Sequence, residues 1–390
     1  MIWSRNSGAN HIALLLAVLV VILMRPYYTW QAPDYIMPLV SVAITAIVLP
    51  HISFRHNKNI DLLLLLVMAY LLLSFLRGAH IGGTLINLSF AFLPFMRNDF
   101  LMNVYEKFRY IIIVLFTLSA VSYATVLIGL QSPIGMIEPL NELKQMQYAH
   151  YLFLVLPAKL DGFARYCSCF DEPGVVGTMS ALMLFVEGFS FKRKGNYIIL
   201  LNGLLSLSLF FYMAVAIYLL FKLPLKYKLA FVLGVAVLYA TTINNEIIKV
   251  AIWDRLTLNE EGELSGDNRN SDELMAVWDQ SKYNVHILTG YGESFIKDYE
   301  GSASIQLFIL RDGLIFVLMY FTVYLLYAKR MMRKRTELLL FALILFVTLY
   351  QRPGFCGIDF TLLFAAYIIS KSKTNVSINS SSNLQLGRVS

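Results

Sequence analysis

The sequence predicts an all-α, polytopic integral membrane protein of about twelve transmembrane helices with one large external loop. Three observations carry this expectation. Of 390 residues, 58% are hydrophobic and only 15% charged, where soluble domains carry about 45–50% and about 25%. The apolar excess sits in blocks of roughly 15–25 residues, the length of helix that crosses a hydrocarbon layer of about 30 Å. The blocks are continuous rather than alternating, which argues against an outer-membrane barrel. A soluble enzyme and a disordered chain are excluded by the same composition. Three cysteines (Cys167, Cys169 and Cys356) build no disulfide framework.

The blocks lie near residues 10–28, 35–50, 60–76, 81–96 and 110–130, then 173–191, 197–222 and 229–243, and finally 304–328, 337–351 and 355–370. The first follows Arg5 and has Ile12–Met24 as its apolar centre. No small-x-small cleavage site follows it. Arg25, Pro26 and an aromatic belt of Tyr27, Tyr28 and Trp30 do, so it reads as a retained span rather than a signal peptide. Basic clusters at Arg55/Lys58, Lys107/Arg109, Lys192–Lys194, Lys222/Lys226/Lys228, Lys329–Arg335 and Lys371/Lys373 set the orientation, because Lys and Arg favour cytoplasmic loops. All six fit on one side only if the block 197–222 turns back near 207–210 and forms two short helices. A single helix of that length would span about 39 Å. With the split, both termini are cytoplasmic.

The organisation that follows is 1–130 as transmembrane helices 1–5 and 131–172 as an external segment with an interfacial helix over 141–159. Residues 173–243 hold helices 6–9, 244–303 a large external loop, and 304–370 helices 10–12. Residues 371–390 form a disordered, Ser/Asn-rich cytoplasmic tail. The loop 244–303 has twelve acidic and five basic residues, a balance of −7 in a chain of net charge +7, which leaves +14 elsewhere. That asymmetry records sidedness and calls for no nucleic acid. Trp253, Trp278, Tyr283, Tyr291 and Tyr299 argue that the loop packs over the bundle.

The run Arg165-Tyr166-Cys167-Ser168-Cys169-Phe170-Asp171-Glu172-Pro173-Gly174 holds the densest chemistry. Pro173 suits a first helical position and the acidic pair suits the positive end of the helix that follows. The competing reading is structural: an acidic helix cap with Arg165 as counter-ion. Arg255, Arg269, Arg311 and Arg352 also fall on or near the outer side, where positive charge is disfavoured; Asp254, Asp267 and Asp312 offer neighbouring partners to the first three. No metal site emerges: His51, His56 and His80 are scattered, and the acidic residues of 259–273 lack calcium-loop spacing. Neither a P-loop nor a dinucleotide fingerprint is present. Gly78 and Gly82 fit close helix packing.

Arg165, Phe170, Asp171, Glu172 and Pro173, followed by the small residues Gly174, Gly177 and Ala181, resemble the R…G-x-F-x-E-P-N…A signature of the O-antigen polymerase (Wzy-like) and O-antigen ligase superfamily. The order Arg269, Trp278, Gly290-Tyr291-Gly292, then a helix with Gly313 near its start, resembles the same family, as does a large external loop before the tenth span. Two departures stand out. Gly174 replaces the usual Asn, and Ser302-Ala303-Ser304 lacks the His that the ligase branch carries there, which favours a polymerase.

The resemblance implies a GT-C-like bundle in a bacterial inner membrane, with its active site facing the periplasm. It implies transfer of an undecaprenyl-diphosphate-linked glycan onto the non-reducing end of another lipid-linked repeat unit. Inversion at the anomeric carbon, with neither metal nor other cofactor, belongs to the same expectation, and a chain-length regulator is a candidate partner. Arginine's fork suits a departing diphosphate, so Arg165 leads, with Arg269, Arg352, Arg255 and Arg311 behind it. Glu172 is the first choice to accept the acceptor hydroxyl's proton, with Asp171 next and Glu138 and His150 weaker. Tyr166, Phe170 and Tyr291 are candidates for stacking on sugar rings, and His286 reads as structural. The alternatives are an O-antigen ligase acting on lipid A core and a lipid-linked oligosaccharide flippase. A flippase would place charges at mid-span, where this chain has almost none.

Overall fold

The computed structural model describes residues 7–33, 35–52, 95–138, 147–157, 165–245, 249, 253–254, 257, 271–292, 304–351 and 358–372. The expected span at 60–76, nearly all of that at 81–96, most of the acidic loop and the tail lie outside the described residues. So do Arg255, Arg269 and Arg352.

The described chain is mostly helical: α1 (Ser7–Leu23), α2 (Ile36–Val48), α3 (Asn98–Leu127), α4 (Pro173–Val186), α5 (Gly195–Leu205), α6 (Leu209–Lys222), α7 (Leu225–Thr242), α8 (Asp272–Ser281), α9 (His286–Thr289), α10 (Ile305–Asp312), α11 (Leu314–Met331), α12 (Arg335–Gln351) and α13 (Ile358–Ser370). Three of these, α3, α7 and α11, are long and apolar enough to cross a membrane. Several of the others are apolar but shorter.

Two helices form the centre. In α4 every residue from Val176 to Val186 is buried, and in α13 every residue from Phe360 to Ile369 is buried. A helix that is apolar on all sides has no solvent face and must be surrounded. Accordingly α4 packs against α5, α6 and α13, and α13 also packs against α3. The stripe Phe108, Ile112, Phe116, Ser119 and Tyr123 turns one face of α3 into this core. Helix α3 begins well before the apolar block at 110–130, because Phe100, Leu101, Val104 and Tyr105 continue the buried stripe through a polar stretch. At that end Asn103 Nδ2 donates to Asn10 of α1 at 3.0 Å.

The apolar block 197–222 is two helices. The chain reverses at Ser206–Ser208, where Leu207 adopts a φ of +46° that costs a non-glycine residue energy. Ser206 Oγ donates to the carbonyl of Gly203 at 2.7 Å and accepts from the amide of Ser208 at 3.3 Å, satisfying backbone groups buried at the turn. The turn seats on α4 at Gly177, where a Cβ would lie 2.2 Å from that of Ser208. Only glycine allows this approach.

The charged ends of the helices sort onto one end of the bundle. Arg193 pairs with Glu106 at 2.7 Å and with Glu187 at 3.3 Å, and Glu187 also faces Arg109 at 3.6 Å. Lys222 pairs with Glu337, which accepts a bond from Tyr367 at 3.0 Å. Met332 bridges to Ser372. These contacts unite the start of α3, α5 and α12 with the finish of α4, α6, α11 and α13; we call this the basic end.

The opposite end carries the one sheet among the described residues. Over 141–159 an interfacial helix is expected, but its described part, 147–157, is extended. Strands β1 (Gly135–Ile137), β2 (Tyr148–His150) and β3 (Val155–Pro157) form an antiparallel sheet in the order β1-β2-β3, pairing Met136 with Ala149 and Ala149 with Leu156. The physical reason is competition for the backbone. Tyr27 Oη donates to the carbonyls of Tyr151 and Leu152 at 2.8 and 2.7 Å, groups a helix would have used itself. Tyr148, Tyr151 and Val155 fit a half-buried pleated surface, and Pro157 cannot extend the ladder.

The close contact at Gly177 yields a prediction. Gly177→Ala is expected to lower the unfolding temperature in detergent by overpacking the α5–α6 turn, at a cost of about 1–3 kcal/mol. Gly234→Ala in α7 meets nothing within 4 Å, and its better helix propensity makes it neutral or mildly stabilising. Thermal unfolding followed by tryptophan fluorescence separates the two.

Candidate functional site

Arg165, Asp171 and Glu172 ride on one loop, and that loop is held from four directions. Tyr166 Oη donates to Asn202 of α5, whose own amide donates to the carbonyl of Ile198 at 2.8 Å. Ser168 Oγ donates to Ser119 Oγ of α3 at 2.9 Å, and Ser119 donates onward to the carbonyl of Phe153 at 2.5 Å. The carbonyl of Cys169 accepts from the amide of Tyr27 at 2.8 Å, and the carbonyl of Ser168 from that of Val155 at 2.9 Å. Tyr148 Oη donates to the carbonyl of Asp171 at 2.8 Å. Ser168 sits at a φ of +57°, a left-handed conformation that persists in a serine only where the surroundings impose it.

The loop is deep. At 1.5 Å per residue, its anchor Ser119 is about 15 Å along α3 from Arg109 and about 12 Å from Leu127. Helix α4 has 14 residues, so it spans about 21 Å between Glu172 and the basic end. Tyr166, Cys167, Ser168, Cys169 and Phe170 are all buried, while Arg165, Asp171 and Glu172 are half-buried. Burial pushes the Cys169 thiol up to about 12, so it stays neutral and inert as a nucleophile.

Helix α4 starts at Pro173 with Glu172 in an extended conformation before it (φ −141°, ψ 138°), but the Glu172 side chain does not cap the helix. Among the described residues no ion pair joins Arg165 to Asp171 or Glu172. Neither a side-chain cap nor a pairing with Arg165 is therefore seen among the described residues, while the acidic pair keeps its place beside the positive end of α4. What remains is a guanidinium, two carboxyl groups and a positive helix end on one short loop. That set suits an anionic oxygen and a proton transfer.

Tyr291 and Arg311 belong to a second cluster. The amides of Tyr291 and Gly292 donate to the carbonyls of Leu310 and Arg311 at 2.7 and 2.9 Å, clasping the Gly-Tyr-Gly segment to the break between α10 and α11. Gly290 and Gly313, at φ +75° and +90°, make this possible: a Cβ on Gly290 would lie 2.3 Å from the carbonyl oxygen of Arg311, and one on Gly313 2.4 Å from that of Leu288. Tyr291 Oη shares a hydrogen bond with Ser281 at 2.8 Å, and its ring stacks on His286 at 4.6 Å. Arg311 pairs with Asp312 at 2.6 Å and lies over the Phe308 ring, the neighbour pairing the sequence offers. Among the described residues no hydrogen bond or ion pair joins this cluster to the Arg165 loop.

Of the weaker candidates, His150 ends β2, with its ring 6.0 Å from that of Tyr27; Glu138 follows β1. Among the described residues no three of His, Cys, Asp and Glu come together as a metal site requires. Sequence reasoning missed Ser119, Asn202 and Tyr27 as supports of the loop. The helical spacing of Ile112, Phe116, Ser119 and Tyr123 in α3 marks Ser119 as inward-facing, whereas nothing in sequence pairs Asn202 with Tyr166.

Comparison of the chain with protein-family models, with curated proteins and with solved structures finds no match.

The buried thiol and the glycine clasp each make a prediction. In a Cys356→Ser background, a water-soluble maleimide is expected to leave the folded protein unlabelled at pH 7–9 and to label it after denaturation. Because the folded thiol has the higher pKa, its stabilising contribution is complete below about 9 and is lost as pH rises toward about 12; labelling of the native protein at pH 8 contradicts the burial. Gly313→Ala is expected to open the clasp, read as faster proteolysis within 281–292 with the Arg165 loop unaffected.

Proposed function

We propose that the chain is a membrane glycosyltransferase of the O-antigen polymerase type, a twelve-span GT-C-like bundle of a bacterial inner membrane. On this reading both termini are cytoplasmic, with the basic end, and the Arg165 loop opens to the periplasm. The observation that carries the proposal is the joint placement of Arg165, Asp171 and Glu172 on one deeply anchored loop at the head of α4. The reaction joins two undecaprenyl-diphosphate-linked glycans. A hydroxyl of the acceptor sugar attacks the anomeric carbon of the donor, the bond from that carbon to the diphosphate oxygen breaks, and undecaprenyl diphosphate leaves with the electron pair.

Each group has a share in that step. Arg165 neutralises charge developing on the diphosphate, supported by the positive end of α4. Glu172 takes the hydroxyl proton, and Asp171 orients the acceptor. Arg269, Arg352, Arg255 and Arg311 are proposed to guide the second lipid diphosphate, and Tyr291 to face sugar. A loop midway along α3 suits substrates that arrive sideways from the bilayer, because the reacting diphosphate then meets the guanidinium below the level of bulk water, where the attraction is stronger.

Reconstitution with lipid-linked repeat units tests this. Wild-type protein is expected to produce a ladder of products on a gel. Arg165→Ala is expected to lower the rate by at least about 100-fold, the loss typical of removing one transition-state donor, and Glu172→Gln by a comparable factor. A ladder that persists in both variants removes the loop from the chemistry. Passage of the lipid across proteoliposomes without any ladder replaces the enzyme with a flippase.

A further inference from the structure

The basic end holds far more positive charge than it pairs. Its described acidic residues are Asp99, Glu106, Glu187 and Glu337, and each already sits in an ion pair, with Arg97, Arg193 or Lys222. Lys192, Lys194, Lys226, Arg330, Arg333 and Arg335 are exposed and make no ion pair among the described residues. The segments that carry them are neighbours in space. Arg193 reaches α3, Lys222 reaches the first turn of α12, Met332 bridges to Ser372, and a Cβ on Gly188 would lie 3.2 Å from Lys371 Nζ. Four loops thus combine into one cationic plate.

Exposed apolar side chains border the plate within about two helical turns: Tyr197, Leu225, Leu229, Leu326 and Leu339, with relative exposures of 57, 72, 65, 47 and 54%. That border decides the occupant. On helices long and apolar enough to cross a membrane, such a border sets the plate at the level of the lipid headgroups, where an acidic protein or a nucleic acid would have to displace lipid to reach it. A phospholipid with an anionic headgroup covers both at once, phosphate on the lysines and arginines and acyl chains on the leucines.

We propose that this end is a binding surface for anionic phospholipid headgroups, with Lys226 at the head of α7 and Arg330, Arg333 and Arg335 between α11 and α12 as its phosphate contacts. The surface is independent of the reaction proposed above. Arginine contacts phosphate in bidentate fashion, and the short loop Met332–Lys334 with the helix ends that flank it brings these three arginines into one stretch of chain.

The test is a titration of the full-length protein in phosphatidylcholine vesicles carrying graded phosphatidylglycerol, followed by unfolding temperature and by phosphatidylglycerol retained on the purified protein. Wild type is expected to gain stability with phosphatidylglycerol and to lose the gain in high salt. The variant K226Q/R330Q/R333Q/R335Q is expected to melt as wild type does in neutral vesicles and to retain less phosphatidylglycerol, with affinity falling about fivefold per charge removed. The wild-type titration stands even if that variant fails to fold. Equal stabilisation in neutral and anionic vesicles overturns the proposal. So does an equal shift with soluble polyphosphate in neutral vesicles, which points to a polyanion rather than a lipid.

Discussion

Burying an irregular loop inside a helical bundle is the constraint on which the rest of this structure depends. Backbone amides and carbonyls away from water must be paired, and in hydrocarbon no solvent is present to help. The segment 165–172 meets this demand by drawing partners from α3, α5, the turn at Tyr27 and the small sheet. Each partner is a position where another element was obliged to adapt. The sheet at 135–157 exists in place of a helix because Tyr27 and Ser168 occupy its carbonyls and amides. The reversal at Ser206–Ser208 brings Asn202 to the depth of Tyr166.

Glycine sets how closely those elements approach. Gly177 lets the turn of the α5–α6 hairpin rest on α4, and Gly203 lets the Phe211 ring lie against α5, where a Cβ would be 2.2 Å from the ring. Gly290 and Gly313 do the same for two backbone segments further along the chain. In each case the contact is made by the absence of a side chain, so its strength comes from backbone hydrogen bonds and dispersion rather than from any group that a sequence advertises.

Charge is arranged by a different rule. The basic clusters are far apart in sequence and contiguous in space, with Glu106, Glu187 and Glu337 as the carboxylates that knit them among the described residues. Burial lowers the pKa of Lys371 beside them, and the carboxylate of Glu337 opposes that shift. The carboxyl groups of the Arg165 loop stand at the other end of α4. One helix of 14 residues therefore separates an electropositive surface from the groups that could handle a proton.

Much of this was legible without coordinates. Helix α4 begins at Pro173, the residue that favours a first helical position, and the stretch 197–222 is divided into two helices at Ser206–Ser208. The inward stripe of α3 was readable at Phe116, Ser119 and Tyr123, although not its extension to Asn98, which is polar in composition and helical because Phe100, Val104 and Tyr105 are buried. Composition, block length and the placement of Lys and Arg determined by themselves that the chain is helical and built around apolar segments, because these are properties that each segment has in isolation. The strands at 148–157, the clasp at Gly290 and Gly313, and the support of Arg165 and Glu172 by Tyr27, Ser119 and Asn202 were decided only by tertiary structure. They depend on which buried backbone group finds which partner, a choice made between segments that are not neighbours in the chain.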